Sequence, residues 1–140
     1  MHADTLIETL DLAPHPEGGH YRQTWAGPEV NGRPSGTAIL FLLRAGERSH
    51  WHRVDAGEIW LWHAGAPLAL RIAEGERMAR RHLLGPDIPE QMPQIVVPEG
   101  HWQSAETLGD FTLVSCTVSP GFRFEGFELA EEGFDIAEAR

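Results

Sequence analysis

Apolar residues recur along most of this chain in short continuous or alternating runs. They occupy Tyr21–Trp25, Thr37–Arg44, His50–Val54, Glu58–His63, Leu68–Ala73, Met78–Leu84, Gln94–Val97, Phe111–Ser119 and Phe124–Leu129. Glycine and proline cut between them, as at Gly27-Pro28, Gly65-Ala66-Pro67, Pro98-Glu99-Gly100 and Pro120-Gly121. Many short strands at even spacing, separated by turn residues, predict an all-β sandwich or barrel. The N-terminus has a different period. Thr5-Leu6-Ile7-Glu8 has the form of a capping box, and Leu6, Ile7 and Leu10 make one apolar helical stripe. Pro14 and Pro16 stop it, so the spacing predicts one helix over 5–11 and little helix afterwards. The acidic tail Glu131–Arg140 is expected to be loose or a short helical end. No βαβ unit, internal repeat or low-complexity linker interrupts this pattern.

Composition narrows the function classes. The chain has 140 residues, 41% hydrophobic and 23% charged. That length suits a single domain spanning 1–140 with a sizeable core. The net charge of −10 lacks the basic footprint that nucleic acids and anionic membranes require. The longest apolar stretch, Thr37–Leu43, falls far short of the roughly 20 residues of a membrane span. All eleven positive charges are arginine. Schiff-base or general-base lysine chemistry is therefore excluded. A lone cysteine, Cys116, makes no internal disulfide and reads as a small buried hydrophobe. With no basic and apolar leader at Met1–Asp4, a reducing, cytoplasmic setting is expected.

Candidate chemistry lies on two neighbouring strands. Side chains alternate faces along a strand, so His50 and His52 share one face, as do Glu58, Trp60 and Trp62 on the next. If the two strands pair and curl, both imidazoles can converge on one ion, with a glutamate completing a two-His-one-carboxylate set. The stretch Gly46-Glu47-Arg48-Ser49-His50-Trp51-His52, with Glu58 and Gly65, resembles the first motif of the cupin superfamily. Pro98-Glu99-Gly100-His101-Trp102-Gln103 resembles its second motif, with Gln103 where a further histidine usually stands. The resemblance implies a metal set of His50, His52, Glu58 and Gln103, and a divalent ion such as Zn, Fe, Ni or Mn.

A second resemblance covers nearly the whole chain. Pro14-His15-Pro16-Glu17-Gly18-Gly19-His20-Tyr21-Arg22-Gln23-Thr24, together with the two motifs above, is similar to the fifth of the named cupin domain families, long filed as a domain of unknown function. That family implies a double-stranded β-helix (a cupin jelly-roll barrel), with this chain's short N-terminal helix, assembled as a homodimer. The prolines stiffen the backbone around His15 and Glu17, and Gly18-Gly19 permit a positive-φ turn. The candidate catalytic residues are therefore His15, Glu17, Tyr21, His52 and Glu58, with Glu58 or Glu17 as base and His52, His50 or Tyr21 as acid. Arg22, Trp60, Trp62 and Gln103 are the candidate ligand-binding residues, the two indoles offering flat walls. The expected partner is a sugar-like or other polar small molecule, and the expected chemistry isomerisation or epimerisation. A metal-dependent lyase or dioxygenase and a non-catalytic binding or storage module are the alternatives.

Overall fold

A computed structural model describes residues 1–139. Among these residues one helix, α1 (Ala3–Thr9), is followed by thirteen strands. These are β1 (Ala13–Pro14), β2 (His20–Ala26), β3 (Glu29–Val30), β4 (Arg33–Pro34), β5 (Thr37–Arg44), β6 (Ser49–Val54), β7 (Gly57–Gly65) and β8 (Leu68–Ala73). They continue with β9 (Arg80–Leu84), β10 (Gln94–Val97), β11 (Trp102–Thr107), β12 (Phe111–Ser119) and β13 (Phe127–Leu129), the last preceded by a 3-10 turn at Phe124–Gly126. A six-stranded sheet, β1-β2-β5-β12-β7-β10, faces a five-stranded sheet, β13-β6-β11-β8-β9, and β3 and β4 form a small separate ribbon. Neighbouring strands in these sheets run antiparallel. The fold is the all-β, double-stranded β-helix expected, but strand pairing does not close it into a barrel: the two sheets keep separate edges.

Alternation along each strand divides the interior into a filled end and a hollow end. Phe41 and Leu43 of β5, Trp60 of β7, Val114 of β12, and Leu68 and Leu70 of β8 meet in one buried cluster. Two residues along the same inward faces, Thr37, Ile39, Glu58, Cys116 and Val118 line a cavity instead. The strands thus carry core packing and site chemistry on a single face.

Both outer faces are covered by the chain's own ends. The helix lays Leu6, Ile7 and Leu10 over Leu42, Phe111 and Leu113 of the six-stranded sheet. On the other sheet, Phe134 and Ile136 cover Trp51, Ala73 and Trp102, and Trp51 Nε1 donates to Asp135 at 2.7 Å.

Several expectations need correction. The helix begins earlier than 5–11: its N-cap is His2, with no capping side chain, and Thr5 lies inside it. Ala3 joins the apolar contact with the sheet, and Asp4 in the first turn suits the helix dipole, so packing rather than the Thr5–Glu8 box sets the start. The tail is neither loose nor helical. It docks through Phe134 and Ile136 and makes a bridge at Glu138 to Ala79 (Arg140 lies outside the described residues). Strand β11 escaped the pattern because Gln103 and Ser104 are polar yet buried. Finally, β6 and β7 do not pair. β6 bonds to β11 and β13, and β7 to β12 and β10, so the two strands lie in facing sheets.

Ile136 is fully enclosed. Ile136→Ala is expected to destabilise the fold by about 2–4 kcal/mol, the usual cost of emptying such a site. Urea unfolding with an unchanged m-value checks this.

Candidate functional site

The site begins with the turn between β1 and β2. His15 N–H donates to the Gly19 carbonyl at 2.9 Å, Gly18 N–H donates back to His15 O at 3.0 Å, and His50 N–H donates to Glu17 O at 2.7 Å. Gly18 has φ +111°, and a Cβ there would collide with the carbonyl of Arg48. Only glycine allows this approach. The result is that Glu17, though in a turn, points inward and is 7% exposed.

There Glu17 meets His52, which is 2% exposed. His52 Nε2 lies 2.9 Å from Glu17 Oε2, and His52 Nδ1 lies 2.7 Å from the carbonyl of His50. A carbonyl and an ionised carboxylate can only accept, so both ring nitrogens carry protons and the ring is an imidazolium. Burial opposes that charge, but Glu17, by charge and hydrogen bond, and Glu58 behind it lift the His52 pKa to about 9. Burial likewise works against ionised Glu17, and the His52 charge and hydrogen bond overcome it, holding the carboxyl below its usual range. The contribution of His52 to stability is therefore complete below about pH 6.5 and fades as pH rises through about 9.

Glu58 has the opposite fate. It is 7% exposed, and burial pushes its pKa up to about 7, with His52 pulling down and the Glu17 charge pushing further up. Gln103 Nε2 donates to Glu58 Oε1 at 2.9 Å, and Trp60 Nε1 donates to Gln103 Oε1 at 2.8 Å. The indole is donor-only, so it fixes which way the Gln103 amide faces. His15 is neutral: burial lowers its pKa, partly offset by Glu17. Its Nδ1 accepts from Glu17 N–H at 3.1 Å, which leaves the proton on Nε2, and no described residue takes that donor. The ring stands edge-on to Tyr21, with centroids 4.4 Å apart.

His15, Glu17, Tyr21, His52 and Glu58 open into one cavity of about 280 Å³, near the lower end for small-molecule sites. Its apolar walls include Phe122, Phe124 and Phe127, which meet edge to face. The Phe segment is tied down by Phe122 N–H donating to Thr37 Oγ1 at 2.8 Å. Asp55 also holds it, bonding to both Arg33 and Arg123.

A family model described as cupin superfamily (DUF985) matches residues 4–130. This chain belongs to that cupin family. A structure from Shewanella oneidensis is 39% identical over 94% of this cupin and 85% of that chain, with a TM-score of 0.89. A hypothetical protein from Leishmania major is 30% identical over 96% of this chain and 90% of that one, with a TM-score of 0.88. Oxalate decarboxylase from Bacillus subtilis, at 13% identity, superimposes with a TM-score of 0.65 on 86% of this chain and 30% of its own, which shows the shared fold alone. No curated protein matches this cupin.

The structure brings His15, Glu17, Tyr21, His52 and Glu58 together around the cavity. It does not bring the remaining candidates. A bulge in β6, where Ser49 to His52 spans the partners Ala105 to Gln103, breaks the alternation. His50 turns away and its Nε2 lies 2.9 Å from the Glu131 carbonyl. Arg22 is exposed and donates to Leu10 O at 2.7 Å. Trp60 is core, and Trp62 donates to Ala66 O at 3.1 Å; neither lines the cavity. Gln103 has both amide atoms engaged, so it positions Glu58 rather than binding a ligand. Alternation over Phe124–Leu129 predicts only a strand, and nothing in that pattern marks Phe122, Phe124 and Phe127 as walls of a cavity. Cys116, read only as packing, also lines the cavity, and burial together with the Glu58 and Glu17 charges raises its thiol well above the usual range.

The metal set inferred from the motifs does not fit this arrangement. Among the described residues no three His, Cys, Asp or Glu side chains are grouped to hold an ion. His50 faces elsewhere, His52 Nε2 is committed to Glu17, and the Gln103 carbonyl is taken by Trp60. No helix of the described residues is long and apolar enough to cross a membrane.

Glu58 binds its proton more tightly when folded than the usual 4.5, so its contribution is full below about pH 4.5 and is lost as pH rises through about 7. Glu58→Gln is therefore expected to stabilise the protein at pH 8 by on the order of 1–3 kcal/mol and to leave it nearly unchanged at pH 4.5. Denaturant unfolding at the two pH values checks this.

Proposed function

We propose that this cupin is a small-molecule enzyme of the isomerase or epimerase kind, moving a proton at carbon next to a carbonyl. The observation that carries this reading is the pairing of roles around one cavity. Glu58 is a buried carboxyl able to gain and lose a proton near neutrality, while the His52–Glu17 pair stays charged. Environments that push neighbouring titratable groups apart assign acid and base.

In the ionised form, Glu58 takes the proton from the substrate C–H, and the electron pair moves onto the carbonyl oxygen. The free Nε2–H of His15 and the Tyr21 hydroxyl beside it are the donors available to that oxygen. Protonated Glu58 then delivers its proton to the adjacent carbon while that carbon's hydroxyl passes its own proton to the first carbonyl oxygen, which completes an isomerisation; return to the same face of the same carbon restores the substrate and registers only as exchange. Glu17 is a poor base, since His52 keeps it ionised at low proton affinity. His52 supplies positive charge but has no N–H to spare.

Solvent-deuterium exchange into a panel of sugars, aldehydes and ketones, followed by proton NMR, tests the proposal. At least one member is expected to exchange, with a rate that rises with pH through about 7. Glu58→Gln is expected to reduce that rate by about 10²–10⁴-fold. A panel without exchange, or exchange unaffected by Glu58→Gln, defeats it. Ligands that bind without exchanging would identify a binding module.

A further inference from the structure

Among the described residues the cavity has no free cation. The chain has no lysine, and no described arginine lines the hollow. The nearby guanidinium groups of Arg33 and Arg123 are paired with Asp55, and Arg22 is turned out to the Leu10 carbonyl. The one cation among the described lining residues, His52, has both N–H groups committed to Glu17 and to the His50 carbonyl. Two carboxyl side chains, Glu17 and Glu58, stand in the same walls. A carboxylate or phosphate entering here would shed its water, find no charged donor, and face like charge in a poorly polar surround. An uncharged molecule meets none of these costs. It finds neutral donors on His15 and Tyr21 and the apolar rings of Phe122, Phe124 and Phe127.

We infer that the cavity selects an uncharged small molecule with one flat apolar face and rejects carboxylates and phosphates of the same size. This rests on the proposed reading of the cavity as the reaction site and names the substrate class of that site. The ring surface comes from Phe124, a lining residue that is 57% exposed. Gln23, an exposed lining residue of β2, is the neutral side chain at which a cation would reverse the preference.

Matched pairs test it: an aldose and its sugar acid, an aromatic aldehyde with a CH2 between ring and carbonyl and its carboxylate, a ketose and its phosphate. Binding is read by ligand-observed NMR and thermal shift, and turnover by deuterium exchange on the same samples. Bound pairs are expected to favour the uncharged member by at least tenfold in Kd. Phe124→Ala is expected to weaken the aromatic aldehyde several-fold with Tm retained. Gln23→Arg is expected to bring the anionic members within threefold of their partners. An anionic member binding as tightly as its neutral partner, or no uncharged member binding at all, overturns the inference. Neutral binding without exchange overturns the proton-transfer reading alone. Anionic binding with exchange overturns the selectivity alone.

Discussion

Glu17 and His52 neutralise one another where water barely reaches, and the hollow half of the molecule is arranged around that contact. An isolated buried carboxylate or imidazolium would be expelled or would lose its charge. As a pair, each keeps the other ionised, and the hydrogen bond from His52 to the His50 carbonyl satisfies the remaining ring nitrogen. The pair joins two segments of different character: a proline- and glycine-bearing turn, and a strand of the five-stranded sheet. It also sets the field felt by Glu58. One carboxylate in the hollow is compensated, so the cost of burial falls on the other, and that carboxyl becomes the group able to change its charge near neutrality.

The two sheets make this economical. Inward residues at one end fill the space between them, and inward residues of the same strands at the other end do not. A hollow of this kind needs rigid walls, and the outer faces supply them, one stiffened by the helix and the other by the tail. The aromatic segment before β13 finishes the enclosure, secured by the Asp55 contacts to Arg33 and Arg123.

Much of this was legible in the residues. Alternation and turn punctuation marked most strands, and His15, Glu17, Tyr21, His52 and Glu58, named from motif and spacing, do line a common hollow. What periodicity could not supply was partnership between distant segments. His52 and Glu58 were expected on paired strands, yet they come from opposite sheets. Reading His50 with His52 assumed unbroken alternation, which one bulge undoes. The indoles were assigned to the ligand because they share a face with Glu58, but that face runs from hollow to core, and Trp60 lies past the change. Gln103 stands where a metal cupin motif has histidine, and only the donors around it reveal its use.

The contact from Trp60 through Gln103 to Glu58 ties the hydrophobic interior to the protonation of that carboxyl. Were the indole replaced by a ring without N–H, the Gln103 amide would lose the donor that orients it and could turn its carbonyl toward Glu58. That orientation favours the protonated carboxyl over the ionised one. Substitutions made for tighter packing at this position would then retune the acidity of Glu58 while leaving the scaffold intact.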